Sequence, residues 1–315
     1  MLQNAPAIRS IEYVVTRVFP RSSRLSLERV DEGMSTYVYR IHHADEIFYL
    51  RVLPEINASF APEVYVHKLL RDKQVKVPEV IYFEHCNELL QRSVMVTTEI
   101  KGTHLGHCSV QQNQRTILYE AGRDLAVINS FPVKRFGWIS RNRPQVTRLE
   151  AKHLSCRTFI HEHLEHDLAT LDAQVLERSE IIAIRQILDR FDAWLDGDQA
   201  WLAHGDFDVT HIYQHQGRYT GIIDFGEIRG ANSLYDLGHF RMYDGETLPS
   251  LVLAYLLEGY KEIAHLPPNY EQQIYHSSLL IAISTLARAV KKSPRDVRNH
   301  HSLKSIRRDM QVLFA

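Results

Sequence analysis

Cysteine is scarce in this chain: Cys86, Cys108 and Cys156 are odd in number and far apart. They form no C-x-x-C pair and no disulfide framework, so a stapled secreted scaffold is not expected and a reducing cytosol fits. Long apolar runs are missing as well. The run over residues 279–283 stops at Ser284, and the amino-terminal sequence lacks the basic-then-apolar order of a signal segment. No excess of one charge is present, with 37 basic against 38 acidic residues, which argues against a nucleic-acid partner. The 18 histidines are scattered, and the adjacent pairs His42-His43 and His300-His301 lack metal-ligand spacing. No internal repeat or low-complexity tract is found. These absences describe a soluble cytoplasmic protein without a membrane partner. At 315 residues it is long enough to bury a large core.

What is present divides the chain in two. Up to about Val96 the pattern reads mostly as strands, with alternation over residues 26–30, 36–41 and 46–53. From Phe60 the apolar spacing turns helical, with Pro62 suited to a first turn, and strand patterns return over 77–83 and 93–98. Beyond Gly102 the chain becomes helical, over residues 115–130, 180–195, 248–264, 270–289 and a basic final helix over 294–314. A strand-rich front and a helix-rich back predict a bilobal α+β design, with ligand bound in the cleft between lobes. The expected division is an N-terminal nucleotide-binding lobe over 1–98, a hinge over 99–102 and a catalytic and substrate-binding lobe over 103–315.

Chemistry concentrates in two short segments. Ala203-His204-Gly205-Asp206-Phe207 and Ile222-Ile223-Asp224-Phe225-Gly226 each end a short apolar strand, and the turn His215-Gln216-Gly217 lies between them. A hairpin brings its ends together, so Asp206 and Asp224 are expected side by side. Paired carboxylates at the mouth of a sheet suit metal-assisted phosphoryl transfer. In the strand Tyr49-Leu50-Arg51-Val52, alternation puts Arg51 on one face with Tyr49 and Leu53. Its guanidinium can grip phosphate oxygens bidentately.

The pair of segments resembles the catalytic and metal-binding loops of the aminoglycoside phosphotransferase family, small-molecule relatives of the protein kinases. Val77-Pro78-Glu79-Val80 and Phe136-Gly137-Trp138 resemble further landmarks, and the likeness runs from about Val30 to Tyr260. It implies a protein-kinase-like fold with a small β-rich N-lobe and a larger helical C-lobe, using ATP or GTP with Mg²⁺. Asp206 would accept or orient the acceptor hydroxyl's proton, and Asp224 would hold the metal. The family's first motif is His-Gly-Asp, four positions, then Asn; here His211 takes the Asn place, as a metal contact or a brace. His204 and Asp236 would support the loop. Gly33, Ser35 and Thr36, in the turn 31–36, would meet the phosphates, and Arg51 would reach them with Glu63 as its partner. Thr98, Glu99 and Ile100 would read the base through the backbone, with Val94 and Val96 flooring it.

For the acceptor, a cationic aminoglycoside requires an acidic pocket, for which Asp208, Glu227, Asp244 and Glu246 are the candidates. Glu162, Glu165 and Asp167 form a second acidic cluster. The expected activity is O-phosphorylation of a small hydroxylated molecule, an aminoglycoside-type antibiotic first of all, as in a resistance enzyme. A metabolic kinase for choline, homoserine, a sugar or a glycated amine is the alternative on the same fold. A nucleotide-binding pseudokinase regulator is the non-enzyme reading. A monomer and a homodimer are equally compatible with the sequence.

Overall fold

The structure, a computed structural model, describes residues 5–20, 25–30, 35–107, 113–248 and 250–314, the side chains of 294–296 excepted. The first element, α1 (Ile8–Val18), is a helix that the strand-dominated sequence pattern did not suggest. Its apolar stripe has Ile11, Val14 and Val15 fully buried and Val18 partly buried, and Ala7 offers no side-chain cap. At ~1.5–3 kcal/mol per buried aliphatic side chain, those three contacts hold a helix that is too short to persist alone.

That stripe packs on an antiparallel sheet of β1 (Leu25–Val30), β2 (Tyr37–His43), β3 (Glu46–Val52), β4 (Val80–Glu84) and β5 (Val94–Thr98). The strand order is β1-β2-β3-β5-β4, and the helix α2 (Ala61–Asp72) connects β3 to β4. In β3 the alternation buries Phe48, Leu50 and Val52 on the α1 side and leaves Tyr49 and Arg51 on the other. The same alternation corrects one expectation. Val94 and Val96 of β5 face the α1 core, fully buried. The neighbouring Thr97 lines the cleft instead.

After β6 (Thr103–His104), the chain enters α3 (Gln114–Ile128), then β7 (Pro132–Val133), β8 (Phe136–Ile139) and β9 (Ala151–His153). The helix α4 (Cys156–Gln174) has little apolar periodicity and was not legible as a helix, although Ser155 and Thr158 form a reciprocal capping box at its start. It is followed by α5 (Arg178–Arg190) and β10 (Ala200–Ala203). The expected hairpin is present as β11 (Ile212–His215) and β12 (Arg218–Ile222), and β6 extends it on its β11 side. β13 (Arg229–Ala231) pairs with β10 and β8.

The remainder is helical: α6 (Tyr235–Tyr243), α7 (Leu253–Ile263), α8 (Tyr270–Lys292) and α9 (His301–Phe314). The single final helix expected over 294–314 is a 3₁₀ turn, Pro294–Asn299, followed by α9. The helix α8 is buried over most of its circumference, as the central helix of a lobe must be. No helix among the described residues is long and apolar enough to cross a membrane.

Candidate active site

β10 delivers His204-Gly205-Asp206 into the cleft, and a buried network fixes the loop. Asp236, fully buried in the first turn of α6, accepts the His204 amide at 2.8 Å, the Gly205 amide at 2.9 Å and the Asn129 side-chain amide at 2.7 Å. Asn129, just past α3, also donates to the Leu202 carbonyl at 3.0 Å. The His204 Nε2 lies 2.9 Å from the Ile223 carbonyl. A carbonyl can only accept, so Nε2 carries the proton and Nδ1 is left to accept the Asp206 amide at 3.4 Å. Burial, chiefly, holds the His204 pKa below the ordinary histidine value, so the ring is neutral at neutral pH. Thus His204 ties the Asp206 loop to the strand end that precedes Asp224. Gly205 sits at φ 89°, and a Cβ there would stand 2.0 Å from the Glu227 carbonyl oxygen. Only glycine closes this turn.

Asp206 is partly exposed, and its Oδ1 lies 3.3 Å from the Nε2 of His239, a buried residue of α6. The His211 Nε2 is 4.0 Å from its other oxygen. The buried Nδ1 of His211 has no hydrogen-bond partner and lies 3.7 Å from Asp208. Asp224 follows β12 with the left-handed backbone φ 63°, ψ 69°. Such a conformation in a non-glycine residue costs ~1–3 kcal/mol and is held by its surroundings. Here those are the Gly226 amide and the Arg51 guanidinium, each 3.3 Å from Oδ1. Burial pushes the Asp224 pKa up, but Arg51, with His211 and His204, outweighs it and leaves the carboxyl below its ordinary value.

Arg51 donates to Glu63 at 2.8 Å, and Glu63 is fully buried in the first turn of α2. The other Glu63 oxygen accepts from Arg141 at 2.8 Å, and Arg141 also bonds to the Gly226 carbonyl. Asp224, Arg51, Glu63, Arg141 and Gly226 therefore form a closed circuit across the lobes. Replacing Glu63 with alanine is expected to lower unfolding stability by ~3 kcal/mol, because two guanidiniums lose a shared buried counter-charge. Chemical denaturation measures this, and a loss below ~1 kcal/mol would show that solvent already screens the pair.

The cleft, ≈ 650 Å³, is lined from above by Ser35, Thr36, Arg51, Thr98, Glu99 and Ile100, and from below by Asp206, Asp224, Glu227, Arg229, His239 and Arg288. Glu99 donates its amide to the Ile47 carbonyl at 3.2 Å. Gly33 lies outside the described residues. The acidic acceptor pocket is not assembled as expected. The Asp208 carboxylate closes its own turn on Thr210. The buried Asp244 carboxylate accepts the Val252 and Leu253 amides at 2.8 and 3.2 Å, capping α7. This delays the start of the helix expected from 248. Glu246 pairs with Lys304 at 3.0 Å. Of the four, Glu227 reaches the cleft, and it lies 3.3 Å from Arg229. In the second cluster, Glu162 pairs with Lys152 and Glu165 with Arg185.

Sequence reasoning did not find Arg141, Asn129, His239, Arg229 or Arg288. None belongs to a recognisable spacing, although the basic run around Arg141 was a visible signal.

A β-rich lobe above a helical one, with an Arg-Glu pair over two loop carboxylates, defines a protein-kinase-like phosphotransferase. The chain belongs to the phosphotransferase enzyme family, whose model matches residues 26–272. It is an enzyme that transfers a phosphoryl group to an alcohol acceptor. The aminoglycoside phosphotransferase APH(4)-Ia is similar in fold, with TM-score 0.67 and 17% identity, covering 97% of this chain and 99% of that one. A thermostable mutant of it in ternary complex with ADP and hygromycin B matches at TM-score 0.67 and 16% identity, over 96% and 98% of the chains. A fructosamine-3-kinase-like protein of Thermobifida fusca matches at TM-score 0.65 and 15% identity, over 98% and 99%. No curated protein matches the sequence.

Proposed function

We propose that this protein is an ATP- or GTP-dependent O-phosphotransferase for a small hydroxylated molecule, with Asp206 as the catalytic carboxylate. The carrying observation is the closed circuit from Asp224 through Arg51 and Glu63, facing Asp206 across one cleft. In this reading Arg51 holds nucleotide phosphate, the Thr98–Ile100 backbone meets the base, and Ser35 and Thr36 cover the phosphates. Among the described residues no three His, Cys, Asp or Glu side chains converge as a self-sufficient metal cage. That suits Mg²⁺, which binds through one or two carboxylates and completes its shell with phosphate oxygens and water. Asp224 is the residue to hold it, where the ion would neutralise charge developing on the transferred phosphoryl group.

Two acceptor classes have separate support. The neighbour bound to ADP and hygromycin B favours an aminoglycoside acceptor, and with it a resistance role. The loss of Asp208, Asp244 and Glu246 from the cleft favours the metabolic alternative, because a polycation needs fixed counter-charge. We conclude for the metabolic small-molecule kinase. The test is nucleoside diphosphate release with Mg²⁺ and ATP across aminoglycosides, hydroxy acids, amino alcohols and sugars, with mass spectrometry for the added phosphate. Turnover confined to aminoglycosides would reverse the choice; none with any acceptor would count against the kinase reading.

His211 has its own test. As a loop brace that acts through its close contacts with the Asp206 and Asp208 carboxylates, His211→Asn lowers turnover several-fold with an unchanged Mn²⁺/Mg²⁺ ratio. As a metal ligand, the wild-type imidazole favours Mn²⁺ and the asparagine variant loses that preference. The position of His211 beside Asp206 and Asp208 supports the brace.

A further inference from the structure

Residues 134–152 carry six basic side chains against the single acid Glu150, in a chain whose charges as a whole nearly cancel. Arg141 is engaged by Glu63. Four of the others crowd Glu150: Lys134 at 2.9 Å, Arg135 at 3.9 Å, Arg143 at 3.6 Å and Arg148 at 3.9 Å. One carboxylate leaves most of that charge uncompensated, and converging guanidiniums suit phosphate or carboxylate oxygens. Arg135, Arg143, Arg148 and Lys152 line a cavity of ≈ 750 Å³ whose wall includes Trp138.

Trp138 stands between this basin and the cavity next to the catalytic cleft. That second cavity, ≈ 390 Å³, shares Arg229, Tyr235, Ile281 and Arg288 with the nucleotide cleft. The Arg229 guanidinium stacks on the Trp138 ring, 3.8 Å from its centroid. Arg288 donates to the Thr285 hydroxyl at 3.3 Å, and no carboxylate among the described residues pairs with it. Arg288 lines both the cleft that holds Asp206 and the second cavity, and Trp138 lines both the second cavity and the basin, so the three adjoin in series. Arg229 and Arg288 stand between the Asp206 carboxylate and the basic side chains of the basin. A polycation in this series would meet like charge.

Resting on the phosphotransferase reading of the cleft, we infer that the acceptor is an anionic hydroxylated small molecule, its hydroxyl at Asp206 and its phosphate or carboxylate groups in the Arg143–Arg148 basin beyond Trp138. In the transfer, the bond between the γ-phosphorus and the β–γ bridging oxygen breaks and the acceptor O–P bond forms. The hydroxyl proton passes to Asp206, and the nucleoside diphosphate leaves.

The experiment is calorimetric titration of the full-length protein, saturated with Mg²⁺ and AMP-PNP, with glycerol phosphate and separately with kanamycin. Glycerol phosphate is expected to bind at millimolar concentration and kanamycin not to bind. The charge reversal Arg143→Glu/Arg148→Glu is expected to weaken glycerol phosphate by about tenfold, and Arg143→Gln/Arg148→Gln by less. Melting curves confirm that each variant is folded; if the glutamate pair is not, the glutamine pair carries the test. No glycerol phosphate binding, unchanged affinity in a folded variant, or tighter binding of kanamycin overturns the inference. In an ATP assay, turnover of an anionic acceptor with raised KM and near-constant kcat in the variants supports it. Failure of AMP-PNP to bind instead strikes the phosphotransferase reading, and the titration repeated without nucleotide still decides the basin.

Discussion

Replacing Asp206 with alanine is expected to lower phosphoryl transfer by roughly 10²–10⁴-fold while leaving nucleotide affinity near wild type. The separation follows from position. Asp206 comes from the β10 loop, between His239 and His211, and makes no contact with the Arg51–Glu63 pair. The loop's shape is set by Asp236 and Gly205 rather than by the Asp206 side chain, so the variant keeps its backbone. Steady-state turnover together with nucleotide titration measures both halves. A fall of less than about tenfold would remove Asp206 from the general-base role. Equal losses in turnover and nucleotide affinity would mean that the loop had collapsed.

Asp224→Ala is expected to act on the other substrate, weakening Mg²⁺-nucleotide binding by at least about tenfold, since the cation loses its protein carboxylate. Nucleotide binding without Mg²⁺ should hardly change or even strengthen, because Arg51 loses a competing anion. Unchanged affinity with Mg²⁺ would exclude Asp224 from the metal. The same residue gives a pH effect of known sign. Its folded-state pKa is depressed, so its stabilising contribution is fully present above the unfolded aspartate value of about 3.9 and is lost as pH falls through the folded value. Asp224→Asn should therefore flatten the acid limb of the stability curve, by removing at neutral pH the contribution that the wild type loses only in acid. Acid melting curves of the two proteins would show it.

Glu63 moves the opposite way, which keeps the two carboxylates distinct. Burial raises its pKa despite Arg51 and Arg141. Its linkage contribution is present below the unfolded glutamate value and fades as pH rises through the folded one. The circuit is thus held by geometry and paired hydrogen bonds, while its two acids respond to pH with opposite sign.

The sequence by itself determined the two-lobed α+β plan, the hairpin between the two motif loops and the family, because these are local matters. Strand alternation, helical spacing and the HGD and IIDFG segments each depend on a few neighbouring residues. The family resemblance also supplied Glu63 as the partner of Arg51, and the two meet at 2.8 Å. Tertiary structure decided what local patterns do not encode. The helix α1 exists because three side chains find the sheet, and Val94 and Val96 face that helix rather than the cleft because register assigns whole strand faces at once. The four acids proposed for the acceptor look alike in the sequence, yet one caps α7, one closes a turn, one pairs with Lys304 and one reaches the cleft. Arg141 meets Glu63, and Arg288 joins Asp206 in the cleft, from segments far apart in the chain. A carboxylate or guanidinium takes its role from the partners that long-range packing supplies, and only the folded chain selects them.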